Sequence, residues 1–183
     1  PLTSSAASDV YKRQSLGSVL RMIEKPHHGG DTLFADMYAA YDGLSEEIKE
    51  KLEGAIAVHD FANFRNRLIK EGKSDEEIEA FNKEYPMPEH PVIRTHPDTN
   101  QKVLYVNAAF TQYIKDWDTE ESKEMLNFLC SRASVPEYQC RFAWQDNSIA
   151  FWDNRACQHY ANSDYWPNVR KVERVTIIGD RPY

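Results

Sequence analysis

The sequence predicts an α+β chain with a mainly β core, a jelly-roll or cupin-like barrel carrying inserted helices. Three observations predict it. Short runs of apolar or alternating residues recur along the chain. Stretches at helical spacing interrupt these runs instead of alternating regularly with them. No strand–helix–strand rhythm of a doubly wound sheet links the elements. The 183 residues contain no internal repeat, low-complexity run or second domain.

The elements follow in order. Gly17 to Ile23 is an apolar run consistent with a strand, ended by Lys25-Pro26. Gly29-Gly30-Asp31 marks a turn, with Asp31 or Thr32 placed to cap a helix. From Leu33 the residues Phe34, Met37, Tyr38, Tyr41 and Leu44 recur at helical spacing. Ser45-Glu46-Glu47 opens another helix through Leu52, with acids in its first turn. Ala55 to Phe61 reads as a strand. The charged connection from Asn63 to Glu89 holds a helical stretch around Asp75 to Tyr85; its length suits a mobile lid, its charge equally a solvated insertion. Val92 to Thr95 and Lys102 to Val106 read as strands flanking a turn at Pro97-Asp98-Thr99-Asn100. Thr119-Glu120-Glu121-Ser122 caps a helix to about Arg132, with Met125, Leu126, Phe128 and Leu129 as its buried face. Tyr138 to Ala143 and Ser148 to Trp152 alternate like paired strands around Gln145-Asp146-Asn147, and Lys171 to Ile178 is a final strand.

Composition excludes several classes of function. A net charge of −7 and a pI near 5.4, with no basic run, argue against a nucleic-acid surface. No apolar stretch reaches membrane-spanning length. Cys130, Cys140 and Cys157 lack a metal-binding spacing and read as reduced, mostly buried thiols of a cytoplasmic protein.

The segment from Phe151 to Arg174 carries the chemistry. His159 lies between an aromatic-rich strand and a strand region with Arg170 and Arg174. Imidazole is a good iron ligand, and an arginine fork grips a carboxylate through two parallel hydrogen bonds. By spacing alone, these residues also fit a satisfied histidine near a sheet end with two surface arginines. Cys157, two residues before His159, faces the same side by strand alternation, as a small core residue or a soft ligand.

Longer words in this region resemble a known family. Trp152-Asp153-Asn154-Arg155, Gln158-His159-Tyr160, Asp164-Tyr165, Arg170, Arg174 and Gly179-Asp180-Arg181-Pro182 are similar to the C-terminal signature of the taurine dioxygenase family. Gly29-Gly30-Asp31-Thr32-Leu33 and His90-Pro91-Val92-Ile93-Arg94-Thr95-His96-Pro97 extend the resemblance from about Ser15 to the last residue. These oxygenases depend on iron(II) and 2-oxoglutarate and include taurine, alkylsulfate and aryloxyalkanoate dioxygenases. The resemblance implies a double-stranded β-helix. It makes His159 the distal iron-ligand histidine, Arg170 the partner of the 2-oxoglutarate distal carboxylate, and Thr32 a hydrogen-bond donor to that carboxylate. Arg174 is then directed at the substrate's anionic group, and Phe110 lines the substrate pocket. Without the resemblance, Thr32 reads as a helix cap, Phe110 as core, and Arg174 as a partner of Glu173 or Asp180. The implied partners are a small anionic substrate, with taurine first and alkylsulfates or aryloxyalkanoates next, molecular oxygen, and a second copy of the chain in a homo-oligomer.

The start of the chain departs from the family. Residues 4–14, SSAASDVYKRQ, resemble the in-frame translation of an adapter used in transposon-based sequencing libraries. They lack the features of a transit or signal peptide. Residues 1–14 are therefore set aside as a non-native leader, and residues 15–183 are expected to be part of an oxygenase domain. The family's first two iron ligands, a His-x-Asp pair, would fall upstream of Ser15, where no such pair occurs. His96-Pro97-Asp98 has the right letters in a hairpin-turn setting, the wrong part of the pattern. With one ligand of three, the chain as written is expected to be inactive. A non-catalytic cupin-like module that binds an anion without a metal is the alternative from a different class.

Overall fold

A computed structural model describes residues 15–179, and the fold turns on two central strands. Strand β1 (Ser15–Glu24) lies between β9 (Ile149–Asp153) and β11 (Lys171–Ile178), antiparallel to both. Strand β2 (Thr32–Asp36) lies likewise between β8 (Gln139–Phe142) and β10 (Cys157–Ala161). The last four strands thus alternate between two sheets, the arrangement of a jelly roll. Met22, Trp144, Ala150 and Trp152 fill the space between the sheets, with Phe34, Phe142 and Val172 packed against them.

A second core lies under the helices. Helices α1 (Met37–Asp42), α2 (Glu46–Lys51) and α5 (Thr119–Ser131) surround Met37, Ala40, Leu52, Val103, Ile114 and Leu129. Strand β3 (Ile56–His59) pairs with β4 (Glu89–Pro91) and β7 (Thr111–Ile114), while β5 (Ile93–Thr95) and β6 (Lys102–Leu104) form a hairpin. Helices α3 (Ala62–Lys70) and α4 (Asp75–Glu84) make up the charged connection. Neither contains a buried residue. Serine 74 and Glu77 form a capping box at the start of α4, Ser74 Oγ accepting from Glu77 N and Glu77 Oε2 accepting from Ser74 N.

Several sequence expectations change. The helix predicted from Leu33 starts only at Met37, because Thr32 to Ala35 pair on both sides as strand β2. Its cap is Asp36, whose carboxylate accepts from Tyr38 N and Ala39 N at 2.8 and 3.2 Å, not Asp31 or Thr32. Strands β8 and β9 are not partners of each other. The turn between them, with Asn147 at a φ of 64°, passes the chain from one sheet to the other. Helix α5 is capped by Asp118, and Phe128 turns outward while Ser122 turns in to accept from Ile114 N at 2.7 Å. The sequence does not predict helix α3 or strands β4 and β7, which are short or strongly charged. The cysteines are free but less buried than expected, Cys140 being exposed. The leader, residues 1–14, and the Asp180-Arg181-Pro182 end of the signature lie outside the described residues.

Candidate active site

Thr32 and Arg170 meet at the mouth of β2. Thr32 is buried, and its Oγ1 accepts from Trp144 Nε1 at 3.0 Å and from Arg170 Nη2 at 3.5 Å. With both lone pairs engaged, the Thr32 hydroxyl has its own proton left to donate. Arg170 donates from Nε to the Gly30 carbonyl at 2.9 Å, and its guanidinium lies 5.9 Å from the centre of the Trp144 ring. Gly30 has a φ of +74°, and a Cβ there would stand 2.8 Å from Pro26 and 3.1 Å from Arg170 Cδ. Glycine is therefore what lets Arg170 close on this turn. Asp164 accepts from Gly30 N at 2.8 Å from the other side, and this bond holds its carboxyl below the usual range. The pair presents an arginine fork beside a hydroxyl proton, a suitable seat for a carboxylate.

His159 stands on β10 opposite Phe34 of β2. The sequence placed it between strands, whereas it lies within one, and Arg170 immediately precedes β11. Its ring leans on Trp152, with centroids 4.9 Å apart, and keeps one side open to solvent. Burial against these neighbours, then the positive charge of Arg174, holds its pKa below the ordinary value, favouring the neutral imidazole that binds metals. Arg174 makes no ion pair among the described residues. His159, Arg174 and Phe110 share one cavity of about 690 Å³. Thr32 and Arg170 do not line it; Thr32 is separated from His159 along β2 by the Leu33-Phe34 step.

Signature letters without an assigned role turn out to build this region. Asn154 accepts from Trp152 Nε1 at 2.7 Å and donates to Ser15 and Ser18 at 2.6 and 2.8 Å, tying β1 to the turn before β10. Arg155 grips Asp153 and reaches Asp98 at 2.7 Å. His96 completes the cluster. Its Nδ1 accepts from Asp98 N and Thr99 N at 3.3 Å each, so Nε2 carries the proton donated to Asp153 at 3.1 Å. Both nitrogens being used, His96 is an anchor for the hairpin turn, and His96-Pro97-Asp98 does not present a ligand pair. Gln158 donates to the Val106 carbonyl at 2.7 Å and fixes β10 against the second core. Cys157 lines the cavity beside His159, as alternation predicts, and burial pushes its thiol up to about 12, keeping it protonated.

The cavity also holds residues that spacing did not single out. His59 and His90 meet edge to face at 4.9 Å, and burial followed by the neighbouring His90 lowers His59 to about 3. Phe61, Phe64, Phe81 and Tyr85 come from α3, α4 and their flanks, where Phe61/Phe64 and Phe81/Tyr85 sit three and four residues apart. That helical spacing was the available signal.

The site fits the cosubstrate better than the metal. The Arg170–Thr32 pair suits a dicarboxylate's far end. His159 suits one position of an iron centre, but among the described residues no group of three or more His, Cys, Asp or Glu could hold a metal ion. The described residues alone therefore do not build an iron site.

Comparisons with known proteins agree with this geometry. The chain is 34% identical over 169 residues to an alpha-ketoglutarate-dependent sulfate ester dioxygenase of Pseudomonas putida, covering 90% of this chain and 56% of that protein. Its fold is similar to the crystal structure of a taurine dioxygenase from Burkholderia xenovorans, with a TM-score of 0.79 and 32% identity, over 93% of this chain and 56% of that one. It also matches AAD-2, solved with Mn(II) and N-oxalylglycine, with a TM-score of 0.82 and 28% identity, over 96% of this chain and 68% of that one. The chain spans about half the length of the curated relatives it matches. Residues 8–176 match the family described as taurine catabolism dioxygenase TauD, TfdA, and the chain belongs to that family.

Proposed function

We propose that this chain belongs to an iron(II)- and 2-oxoglutarate-dependent dioxygenase that hydroxylates a small anionic molecule. The observation that carries this is the pairing of two separate anion seats with one histidine. Arg170 and Thr32 form a buried-edge carboxylate seat, while Arg174 and His159 share the cavity. A family of this kind takes iron(II) and 2-oxoglutarate, and the metal and cosubstrate supply the oxidation of a C–H bond with release of succinate and carbon dioxide.

The chain's own residues do the positioning. Arg170 and Thr32 bind and orient the far carboxylate of 2-oxoglutarate. His159, neutral and braced by Trp152, offers one nitrogen to the metal. Arg174 neutralises the substrate's anion and fixes which carbon faces the metal. Phe110 and the ring wall around it exclude water from the reacting centre. In this family a His-x-Asp pair supplies the other two ligands, and the described residues offer no such pair in a metal-binding arrangement.

Taurine, giving sulfite and aminoacetaldehyde, is the finer reading suggested by the resemblance. Alkyl sulfates or aryloxyalkanoates are a second, and one observation favours them: the cavity wall is rich in aromatic rings and contains no Asp or Glu among its described residues. The test is to extend the reading frame upstream in the source DNA, then follow succinate and sulfite with iron(II), 2-oxoglutarate and oxygen. Substrate-dependent succinate from the extended protein supports the proposal. An extended frame without a His-x-Asp pair, and anion binding without turnover, would leave an anion-binding module in its place.

A further inference from the structure

We infer that the aromatic face of the α3–α4 insertion is a subsite for the apolar chain of an amphiphilic anion, an alkyl or aryl sulfate, sulfonate or carboxylate. By this account the insertion selects such molecules over small zwitterions. The inference rests on the assignment of Arg174 to the substrate's anion.

A continuous run of rings forms the subsite. Phe64 and Phe81 lie 5.4 Å apart, Phe81 and Tyr85 4.8 Å, Tyr85 and Phe61 5.5 Å, and Phe61 and Phe110 5.2 Å. All five rings line the cavity that holds His159 and Arg174. They are not the core of another body, since neither helix of the insertion has a buried residue. Phe64 is 50% and Phe110 39% exposed, so apolar surface inside a concave site is left for a ligand to cover. Among the described residues, polar links tie the insertion to the barrel side at Arg65–Asp60 and at Asn63, whose Nδ2 donates to the Ala109 carbonyl at 3.4 Å, and Arg65 also joins α3 to Asn82 of α4.

Charge sets the sign of the ligand's other end. Arg174 supplies a cation without an ion-pair partner among the described residues, and Arg155 is already held by Asp153 and Asp98. An anion is favoured there. An ammonium group meets no described carboxylate on the cavity wall. Aromatic faces can attract a cation, but Phe61 meets both Tyr85 and Phe110 edge to face, so parts of these faces are already covered by ring edges. The like charge of Arg174 further opposes a cation in the same cavity.

The test is a calorimetric titration of the 183-residue chain with alkyl sulfates from propyl to hexyl, with 1-propanesulfonate, and with taurine, its near-isostere bearing an ammonium. Phe64→Ala, Phe81→Ala and Arg174→Ala are titrated alongside, with circular dichroism to establish folding. The subsite predicts an affinity gain of about fourfold per added methylene and taurine about tenfold weaker than 1-propanesulfonate. Phe64→Ala and Phe81→Ala flatten the chain-length dependence, weakening hexyl sulfate far more than propyl sulfate or 1-propanesulfonate. Arg174→Ala weakens every anion by a similar factor and keeps the dependence. A flat dependence in the wild type, a dependence indifferent to both Phe variants, or equal binding of taurine overturns the subsite while the anion seat stands. If the folded chain binds none of the anions, the Arg174 assignment falls and the subsite with it.

Discussion

The barrel and the α3–α4 insertion are stabilised in different ways. Strands β1 and β2 are each paired on both edges, and the residues between the sheets, Met22, Trp144 and Trp152, are buried. The side chains proposed to need sub-ångström placement stand on β2 and on the strands paired with β1 and β2: Thr32 on β2, His159 on β10, Arg170 immediately before β11 and Arg174 within it. In the insertion α4 is capped by its own box and both helices carry local salt bridges, Lys73–Glu77 and Arg67–Glu71, and among the described residues it contacts the rest through a few rings and polar bonds. An apolar tail needs burial more than exact direction, so a loosely held wall suffices to bind it. On the proposed reading, position-critical chemistry and tolerant recognition thus fall on the well-paired and the lightly packed parts of one chain.

This division can be broken most forcefully in the barrel. Trp152 is 7% exposed, braces His159 and donates to Asn154. Trp152→Ala should cost about 3–5 kcal/mol of stability, whereas Phe64→Ala should cost about 0.5 kcal/mol or less. Urea unfolding of both variants measures the contrast. Similar losses would place the insertion inside the cooperative core.

A pH titration of stability sharpens the same contrast at the cavity floor. Burial, and secondarily His90, holds folded His59 at about 3, while an unfolded histidine titrates near 6.5. Between those values the unfolded chain binds more protons. Stability is therefore full above about pH 6.5 and falls as pH drops toward 3, by at most about 1.4 kcal/mol per unit from this group. Asp153 adds to the loss below about pH 4: burial would raise its carboxyl, but bonds from Arg155 and His96 outweigh burial and lower it. His59→Gln should shallow the slope between pH 6.5 and 4 in urea midpoints measured across that range. An unchanged slope would show that His59 is protonated in the folded chain.

The smallest effect belongs to the insertion alone. Ser74→Ala removes half of the α4 capping box and should cost about 1 kcal/mol locally. Amide exchange should quicken across residues 75–84 while the global unfolding midpoint stays put. A lowered midpoint would mean that the helix folds with the barrel.

Much of the barrel was legible because its strands carry long apolar runs: β1 and β11 fall where Gly17–Ile23 and Lys171–Ile178 were read. Strand β2 was missed since Phe34, Met37 and Tyr38 also satisfy a helical period, and only pairing to β8 and β10 decides for strand as far as Asp36. The pairing of β8 with β9 failed because alternation reveals a strand but not its neighbour. At the site, the meeting of Thr32 and Arg170 and the shared cavity of His159, Arg174 and Phe110 followed from family resemblance, not from spacing. The aromatic wall was hidden in a charged segment, where isolated Phe residues give no periodic signal longer than one turn.

The most direct test places each ligand on its own seat. Trp144 lies beside Arg170 and Thr32, and Trp152 lies beside His159, so the two indoles report on the two proposed anion sites. With 5-fluorotryptophan in the chain, fluorine NMR should show 2-oxoglutarate moving the Trp144 resonance most and hexyl sulfate moving that of Trp152 most. Arg170→Ala should erase the first response and spare the second, and Arg174→Ala should do the reverse. Both ligands acting on one resonance, or both variants losing both responses in a folded chain, would contradict two separate anion seats.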